Sequence, residues 1–387
     1  MGASGNDPSL KGTHLVLFFT WGMSLRQWEE GGSLEREVAL YRALQPHLGG
    51  ITFVTYGDAG EEAFRSRLEG IDIVCNRHGL SMERYWQWLR WFPARWKRRG
   101  AVFKSNQMRG ADRMLALGRR LGRPVVARCG FLNSEFTIRR HGEASAEAQA
   151  ALALEHTVFR NADRVVVTTE AMRQAAIGQF GAEAWRVRVI PNYVTTDLFC
   201  PQGEEEPVAN RLVFVGRLNE QKNLPALLEA IEDLPVELLL VGEGELRETL
   251  QARPGAEKVR FLGNRPHGEL PGLIRSGALF VMPSLYEGHP KALLEAMSCG
   301  AAVLGTEVPG IREVIRHGVD GWLCPPDAVS LRGAIRELLA RGELRRTLGE
   351  QARKRMLETV SLPRVVAQEC ALLAGLAETG RKSSGEC

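Results

Sequence analysis

Residues 283–300 read PSLYEGHPKALLEAMSCG, and the fold follows from how this stretch is punctuated. A short apolar run at 279–282 ends at Pro283, a glycine-containing loop leads to Pro290, and a helical pattern follows. Pro290 suits a first helical turn, where its missing N–H has no partner in any case. Gly300 suits the stop. Leu293, Leu294 and Met297 fall on one helix face that can pack beneath a sheet. A strand-to-helix turn of this kind aims backbone N–H groups at whatever lies above the sheet, and such groups favour anions. Glu287 stands in the loop and Glu295 in the helix, with seven residues between them. Two carboxylates beside a phosphate cradle disfavour phosphate alone, yet they accept hydrogen bonds from hydroxyls. The pattern suits a ligand with hydroxyls next to its phosphates, such as a nucleotide joined to a sugar.

Outward from this stretch, apolar runs alternate with helical patterns almost throughout. That alternation indicates parallel sheets covered on both faces. In the first half, strands are expected at 14–20, 51–55, 71–75, 101–103, 125–128, 164–168 and 187–190. A loop after the first strand leads to Gly31-Gly32 and a helix from Ser33 or Leu34 to about Leu48. The run PQGEEEPVAN at 201–210 is acidic, contains proline and lacks large apolar residues, which reads as a linker. Strands are then expected at 211–215, 236–241, 258–262, 279–282 and 301–304, and helices at 224–231, 269–275, 329–341, 343–358 and 362–378. The expected division is a first domain at 11–200, a linker at 201–210 and a second domain at 211–361. The helix 362–378 is expected to pack back on the first domain, and 379–387 to be a disordered tail. In doubly wound sheets, ligands bind beyond the carboxyl ends of the strands, so a cleft between two such domains is the expected site.

The composition is that of a soluble globular chain: 387 residues, 44% apolar and 25% charged. Fifty basic against 46 acidic residues is too mild a balance to suggest nucleic acid as a partner. Seven cysteines, without a C-x-x-C pair or metal-ligand spacing, fit reduced thiols in a cytoplasmic protein. No signal pattern or membrane-spanning apolar run is present.

Seven pieces taken in order are NADRVVVTTEAM, VRVIPNYVTTDLF, LVFVGRLNEQKNLPALLEAI, LLLVGEGEL, VRFLGN, MPSLYEGHPKALLEAMSCGAAVLGT and VPGIREVIRHGVDGWLCPP. With these pieces the chain closely resembles glycosyltransferase family 4, whose members are retaining nucleotide-sugar enzymes of the GT-B fold, two Rossmann-like domains facing each other across a cleft. The resemblance implies that Arg217 and Lys222, following Gly216, meet the donor diphosphate. It places Glu295 at the ribose hydroxyls and Glu287 beside the transferred sugar. Glu287, Arg217 and Lys222 are then the expected catalytic group. Gly288, His289, Pro290 and the backbone of Lys291, Ala292, Leu293 and Leu294 would surround the terminal phosphate. Gly263, Asn264 and Arg265 match a loop that reads the base through its backbone. Gly31 and Gly32 match a glycine loop that approaches the diphosphate, where a missing Cβ permits close contact. No D-x-D sequence is present to hold a metal, so no cofactor or metal ion is expected. A competing structural role for Glu295 is an ion pair with Lys291 one turn earlier.

Many family members place a histidine at the end of the strand 125–128, where this chain has Arg128-Cys129-Gly130. Arg128, Cys129 and His78 are therefore the acceptor-side candidates, and His78 also reads as an ordinary loop histidine. Tyr193 and Thr195 depart from the common Gly and Asp. Residues 84–99, RYWQWLRWFPARWKRR, interleave aromatic and basic side chains. Three readings stand for them: a membrane surface, a helix whose aromatics enter the core, and an acceptor groove. The resemblance implies sugar transfer from a nucleotide-diphosphate sugar to a sugar or lipid-linked acceptor, in polysaccharide or glycolipid assembly. The implied location is the cytoplasm or the inner face of the membrane. The alternatives are an epimerase or hydrolase of the same fold and a non-catalytic binding subunit.

Overall fold

A computed structural model describes residues 10–91, 100–204 and 206–382, with side chains up to residue 376. The chain divides into two units, Met1–Ile190 with Val365–Cys387, and Pro191–Arg364.

The first unit holds a seven-stranded sheet: β1 (His14–Phe18), β2 (Gly50–Val54), β3 (Ile71–Val74), β4 (Ala101–Ser105), β5 (Val125–Cys129), β6 (Arg164–Val167) and β7 (Val187–Val189). Their order is β3-β2-β1-β4-β5-β6-β7, every pair parallel. Every residue of β1, β4 and β5 is buried, as expected of strands covered on both faces. The second unit has six strands: β8 (Val208–Val215), β9 (Glu237–Val241), β10 (Val259–Gly263), β11 (Gly277–Met282), β12 (Val303–Thr306) and β13 (Trp322–Cys324). They are ordered β10-β9-β8-β11-β12-β13, again parallel throughout.

Several expectations need correction. The stretch 201–210 is not a free linker. Val208, Ala209 and Asn210 open β8, and the Val208 N–H donates to the Ser276 carbonyl at 2.9 Å. Their polar, exposed character comes from the solvated outer end of a strand that turns apolar only at Leu212. Residues 191–200 belong to the second unit rather than the first, because Phe199 is fully buried in that unit's core. Arg353 fixes the segment by donating to the carbonyls of Thr196, Phe199 and Ser298 at 2.7–2.9 Å. The strand β13 was missed, being only three residues long. The last helix, Leu362–Lys382, runs past the expected start of the tail, and 383–387 lie outside the described residues.

The loop expected after β1 contains a short helix, Leu25–Glu30. Ser24 and Gln27 form a reciprocal capping box at its start. The buried Glu61 carboxylate accepts the Leu25 N–H at 2.9 Å and the Arg26 N–H at 3.2 Å. Of the aromatic-basic stretch, helix Met82–Trp91 shows Tyr85, Trp86 and Leu89 buried, so its aromatics enter the core there. Trp91 is 69% exposed, with the Arg120 guanidinium 4.5 Å from its ring centre. Residues 92–99 lie outside the described residues. Among the described residues, no helix is long and apolar enough to cross a membrane.

A buried charge cluster ties the end of the chain to the first sheet. Lys104 on β4 and Glu369 on the last helix are almost wholly buried and meet at 2.5 Å. Arg128 on β5 lies 3.9 Å from the same carboxylate oxygen. Burial lowers the Lys104 ammonium below the ordinary lysine range, Glu369 opposes that shift, and Arg128 adds to it. Removing Lys104 leaves the buried Glu369 carboxylate with the more distant Arg128 as its ion-pair partner, and breaking a buried pair in this way typically costs about 3–5 kcal/mol. Lys104→Met should therefore lower unfolding stability by about that much in urea titration. The double variant Lys104→Met/Glu369→Met should recover most of the loss.

Candidate functional site

The second sheet reverses its strand order between β8 and β11, and the chain beyond the carboxyl ends of these neighbours forms the crevice where ligands of such sheets bind. From β8 the chain passes Gly216, whose N–H stays in the sheet by donating to the Val241 carbonyl at 2.9 Å. Exposed Arg217 follows, then a 3-10 turn at Glu220–Lys222. Asn223, at φ 51°, is the only non-glycine with positive φ among the described residues, and it starts the helix Leu224–Ile231. Its side-chain amide donates to the Pro326 carbonyl at 2.7 Å, which supports a conformation that L-residues otherwise avoid.

From β11 the chain enters buried Pro283 and Ser284 and then the loop bearing Glu287. The two segments meet at the Glu287 carboxylate. Its Oε1 accepts from Lys222 Nζ and, at 2.7 Å, from Ser284 Oγ. Its Oε2 accepts from Gln221 Nε2 at 3.3 Å. The side chains of Glu287 and Lys222 are 7% and 14% exposed, so this pair is shielded far more than a surface salt bridge. Gln221 Nε2 also donates to the Tyr286 carbonyl at 2.9 Å, and the Gln221 carbonyl accepts the Leu285 N–H at 2.8 Å. A third segment presses from below. Gly310 has φ 82°, and a Cβ there would lie 2.3 Å from the Glu287 carbonyl oxygen.

The helix that follows spans Lys291–Ser298. Pro290 is its N-cap rather than a first-turn residue, with extended backbone angles of −71° and 106°. Its carbonyl accepts the N–H groups of Leu293 and Leu294 at 3.1 and 3.2 Å. Those two amides, expected at a phosphate, are thus spent inside the helix, and the donors ahead of them belong to Lys291 and Ala292. Leu293, Leu294 and Met297 are buried as expected, and Gly300, at φ 72°, follows the helix end. His289 turns toward Asn192: its Nδ1 accepts the Asn192 N–H at 3.2 Å, and its carbonyl accepts the Asn192 side-chain amide at 2.7 Å. Gly288 is half-buried. Glu295 is 2% exposed, and its Oε1 lies 2.9 Å from His267 Nε2. The Phe199 ring packs against His267 at 4.9 Å.

In the loop after β10, Gly263 adopts φ 69° and its carbonyl accepts the Gly242 N–H at 2.8 Å. Asn264 and Arg265 are exposed, and Arg265 Nε donates to the Leu262 carbonyl at 3.1 Å.

The candidates in the first unit fare differently. The N–H groups of Gly31 and Gly32 donate to the carbonyls of Gln27 and Glu29 at 3.1 and 2.8 Å, and that of Ser33 to Trp28 at 2.7 Å. Both glycines therefore close the helix Leu25–Glu30, and their amides are not aimed at a ligand. Cys129 is fully buried and its thiol donates to the Phe131 carbonyl at 3.1 Å, so it cannot touch an acceptor. Burial pushes that thiol well above the ordinary cysteine range. Arg128 is 8% exposed beside Glu369. His78 is exposed in a turn, 6.3 Å from the Trp88 ring.

Sequence reasoning missed Gln221, Ser284, Gly310 and His267. Gln221, Ser284 and Gly310 lie inside the motifs quoted above, and Gln221 stands next to Lys222, so adjacency was a usable signal for it. Nothing in the sequence marks His267 as the partner of a carboxylate 28 positions away.

Two family models cover most of the chain: the glycosyl transferase 4-like domain matches residues 15–193, and glycosyl transferases group 1 matches residues 201–355. A glycosyltransferase of Methanocaldococcus jannaschii is 30% identical over 173 residues, 44% of this chain and 48% of that protein. The alpha-maltose-1-phosphate synthase of Mycolicibacterium smegmatis is 28% identical over 248 residues, 56% of this chain and 64% of the relative. The chain thus spans about half to under two thirds of the length of the curated relatives it matches first. Among solved structures, HepE of Anabaena in complex with UDP and glucose aligns with TM-score 0.75 at 18% identity, over 94% of this chain and 100% of that one. Sucrose-phosphate synthase of Thermosynechococcus elongatus aligns with TM-score 0.74 at 21% identity, over 95% of this chain and 100% of that one. These likenesses show the fold, the paired doubly wound units of GT-B proteins. With the two domain models in sequence order and together covering most of its length, the chain belongs to the glycosyltransferases of the family 4 type.

Proposed function

We propose that this chain transfers a sugar from a nucleoside diphosphate donor to an acceptor hydroxyl, with retention at the anomeric carbon and without a metal ion. The observation that carries the reading is the Lys222–Glu287 pair at the switch point of the second sheet. It sets a cation for the diphosphate beside a carboxylate for the sugar. Departure of a nucleoside diphosphate builds negative charge, which fixed cations and helix amides offset best when held in advance. Lys222, exposed Arg217 and the start of the helix Lys291–Ser298 supply these groups. Glu287 is an acceptor only, already engaged by a lysine, a serine and a glutamine, which makes it a poor nucleophile and a good partner for sugar hydroxyls.

In the step this implies, the acceptor oxygen bonds to the anomeric carbon on the face that the leaving group vacates. The bond from that carbon to the phosphate oxygen breaks, and the acceptor proton passes to the departing phosphate. Glu295 would read the ribose from its seat on His267. The neighbour solved with UDP and with UDP-glucose supports a nucleotide-sugar donor. The acceptor in this reading is a sugar or lipid-linked sugar in polysaccharide or glycolipid assembly. Exposed Arg84, Arg90 and Trp91 support contact with a bilayer.

Screening nucleotide sugars by calorimetry and by slow hydrolysis tests the reading. Arg217→Ala and Lys222→Ala should each weaken donor binding or turnover by about tenfold to a thousandfold; unchanged values in both variants would refute the site. Turnover should also persist in excess EDTA and gain less than about twofold from manganese or magnesium, whereas a strict need for either ion would refute charge compensation by side chains alone.

A further inference from the structure

We infer that Gln221 is a positioning residue that aims the Glu287 carboxylate at the donor sugar, so that the site distinguishes a nucleotide sugar from the bare nucleotide. This rests on the donor-site reading proposed above and adds to it a residue outside the expected set. Its basis is the division of labour around Glu287. Oε1 takes two donors, the Lys222 ammonium and, at 2.7 Å, the Ser284 hydroxyl. Oε2 takes only the Gln221 amide, at 3.3 Å. A carboxylate oxygen has room for about two donors, so Oε2 is the atom with capacity for a sugar hydroxyl.

The last torsion of a glutamate is broad, and nothing intrinsic to the side chain sets the carboxylate plane. An ammonium alone does not set it either, because lysine binds as a point charge with rotatable donors. With only Lys222 and Ser284, both donating to Oε1, the carboxylate could pivot about that oxygen and swing Oε2 away from the sugar. The Gln221 amide fixes the plane by holding the second oxygen, and a long contact can be shared with an incoming hydroxyl.

Gln221 also holds the loop that carries Glu287. Leu285 at its tip is 41% exposed, so burial contributes little to its order. In place of burial, the Leu285 N–H donates to the Gln221 carbonyl at 2.8 Å, and the Tyr286 carbonyl accepts the Gln221 amide at 2.9 Å. Gln221 therefore helps to hold the loop, in part through a backbone bond that side-chain substitution leaves in place, and orients the carboxylate through its amide, directly beside the lysine expected at the diphosphate.

The test compares Gln221→Met, which keeps bulk without the amide, and Gln221→Glu, which sets a carboxylate against Glu287. Calorimetry is run with UDP, GDP and ADP and with their glucose, galactose and N-acetylglucosamine esters, alongside donor hydrolysis and thermal melting. In Gln221→Met, affinity for the bare diphosphate and the melting temperature should stay near wild type, while the ester weakens about tenfold. Hydrolysis should fall with it. Gln221→Glu should lose more of the ester and still bind the diphosphate. An equal loss for diphosphate and ester would overturn the inference by reducing Gln221 to a structural tie. So would an unchanged ratio of the two affinities in both variants. If the wild-type protein binds none of the nucleotides, the donor-site reading itself falls and the inference with it; binding of the nucleotides with an unmoved ratio refutes Gln221 alone.

Discussion

The second unit is arranged around one shielded ion pair, Lys222 with Glu287. Its partners come from two loops 65 positions apart in the chain, brought together because β8 and β11 are neighbours in the sheet. A buried pair gains little net stability, since both charges give up water to form it. What it fixes is geometry: where a positive charge stands, where an acceptor-only oxygen stands, and how far apart they are. The surrounding detail serves that end. Ser284 and Gln221 complete the carboxylate's hydrogen bonds, and Gly310 lets a third loop press against the Glu287 backbone where any Cβ would collide.

Glu295 follows the same logic one helical turn deeper. The sequence offered a pairing with Lys291, and the structure brings His267 to the same carboxylate across 28 residues. The imidazole is itself held by Phe199, from a segment that composition alone would have placed in the first domain. A side chain that looks like part of a local helix motif is thus oriented by residues from two distant stretches.

Most of the architecture was legible. Twelve of the thirteen strands among the described residues stand where apolar runs predicted them, because strands covered on both faces must be apolar along most of their length. The three-residue β13 gave too short a signal. The reading failed where polar composition was equated with irregular chain: PQGEEEPVAN includes the solvated start of β8. Gly31 and Gly32 follow the first strand as expected, and the unforeseen helix Leu25–Glu30 takes up their amides, so what they keep for a close approach is their missing side chains. Among the donor-side candidates, the sequence named the carboxylates and cations and passed over the side chains that hold two of them, Gln221 and His267. Charges recur in motifs, whereas Gln221 and His267 owe their roles to partners that only folding brings near. On the acceptor side little could be read, since Cys129 and Arg128 lie on a strand whose side chains are wholly or largely buried.

The Lys104–Glu369 contact has a consequence for how the protein is made. The carboxylate that neutralises β4's buried ammonium is encoded 265 positions later, after the entire second unit. Until the last helix is in place, Lys104 lacks the carboxylate that accepts from it in the folded structure. A fragment cut at the boundary after Ile190 lacks Glu369 and with it this contact. The first unit is thus assembled from two separated stretches of chain, and exchanging it between relatives has to carry both.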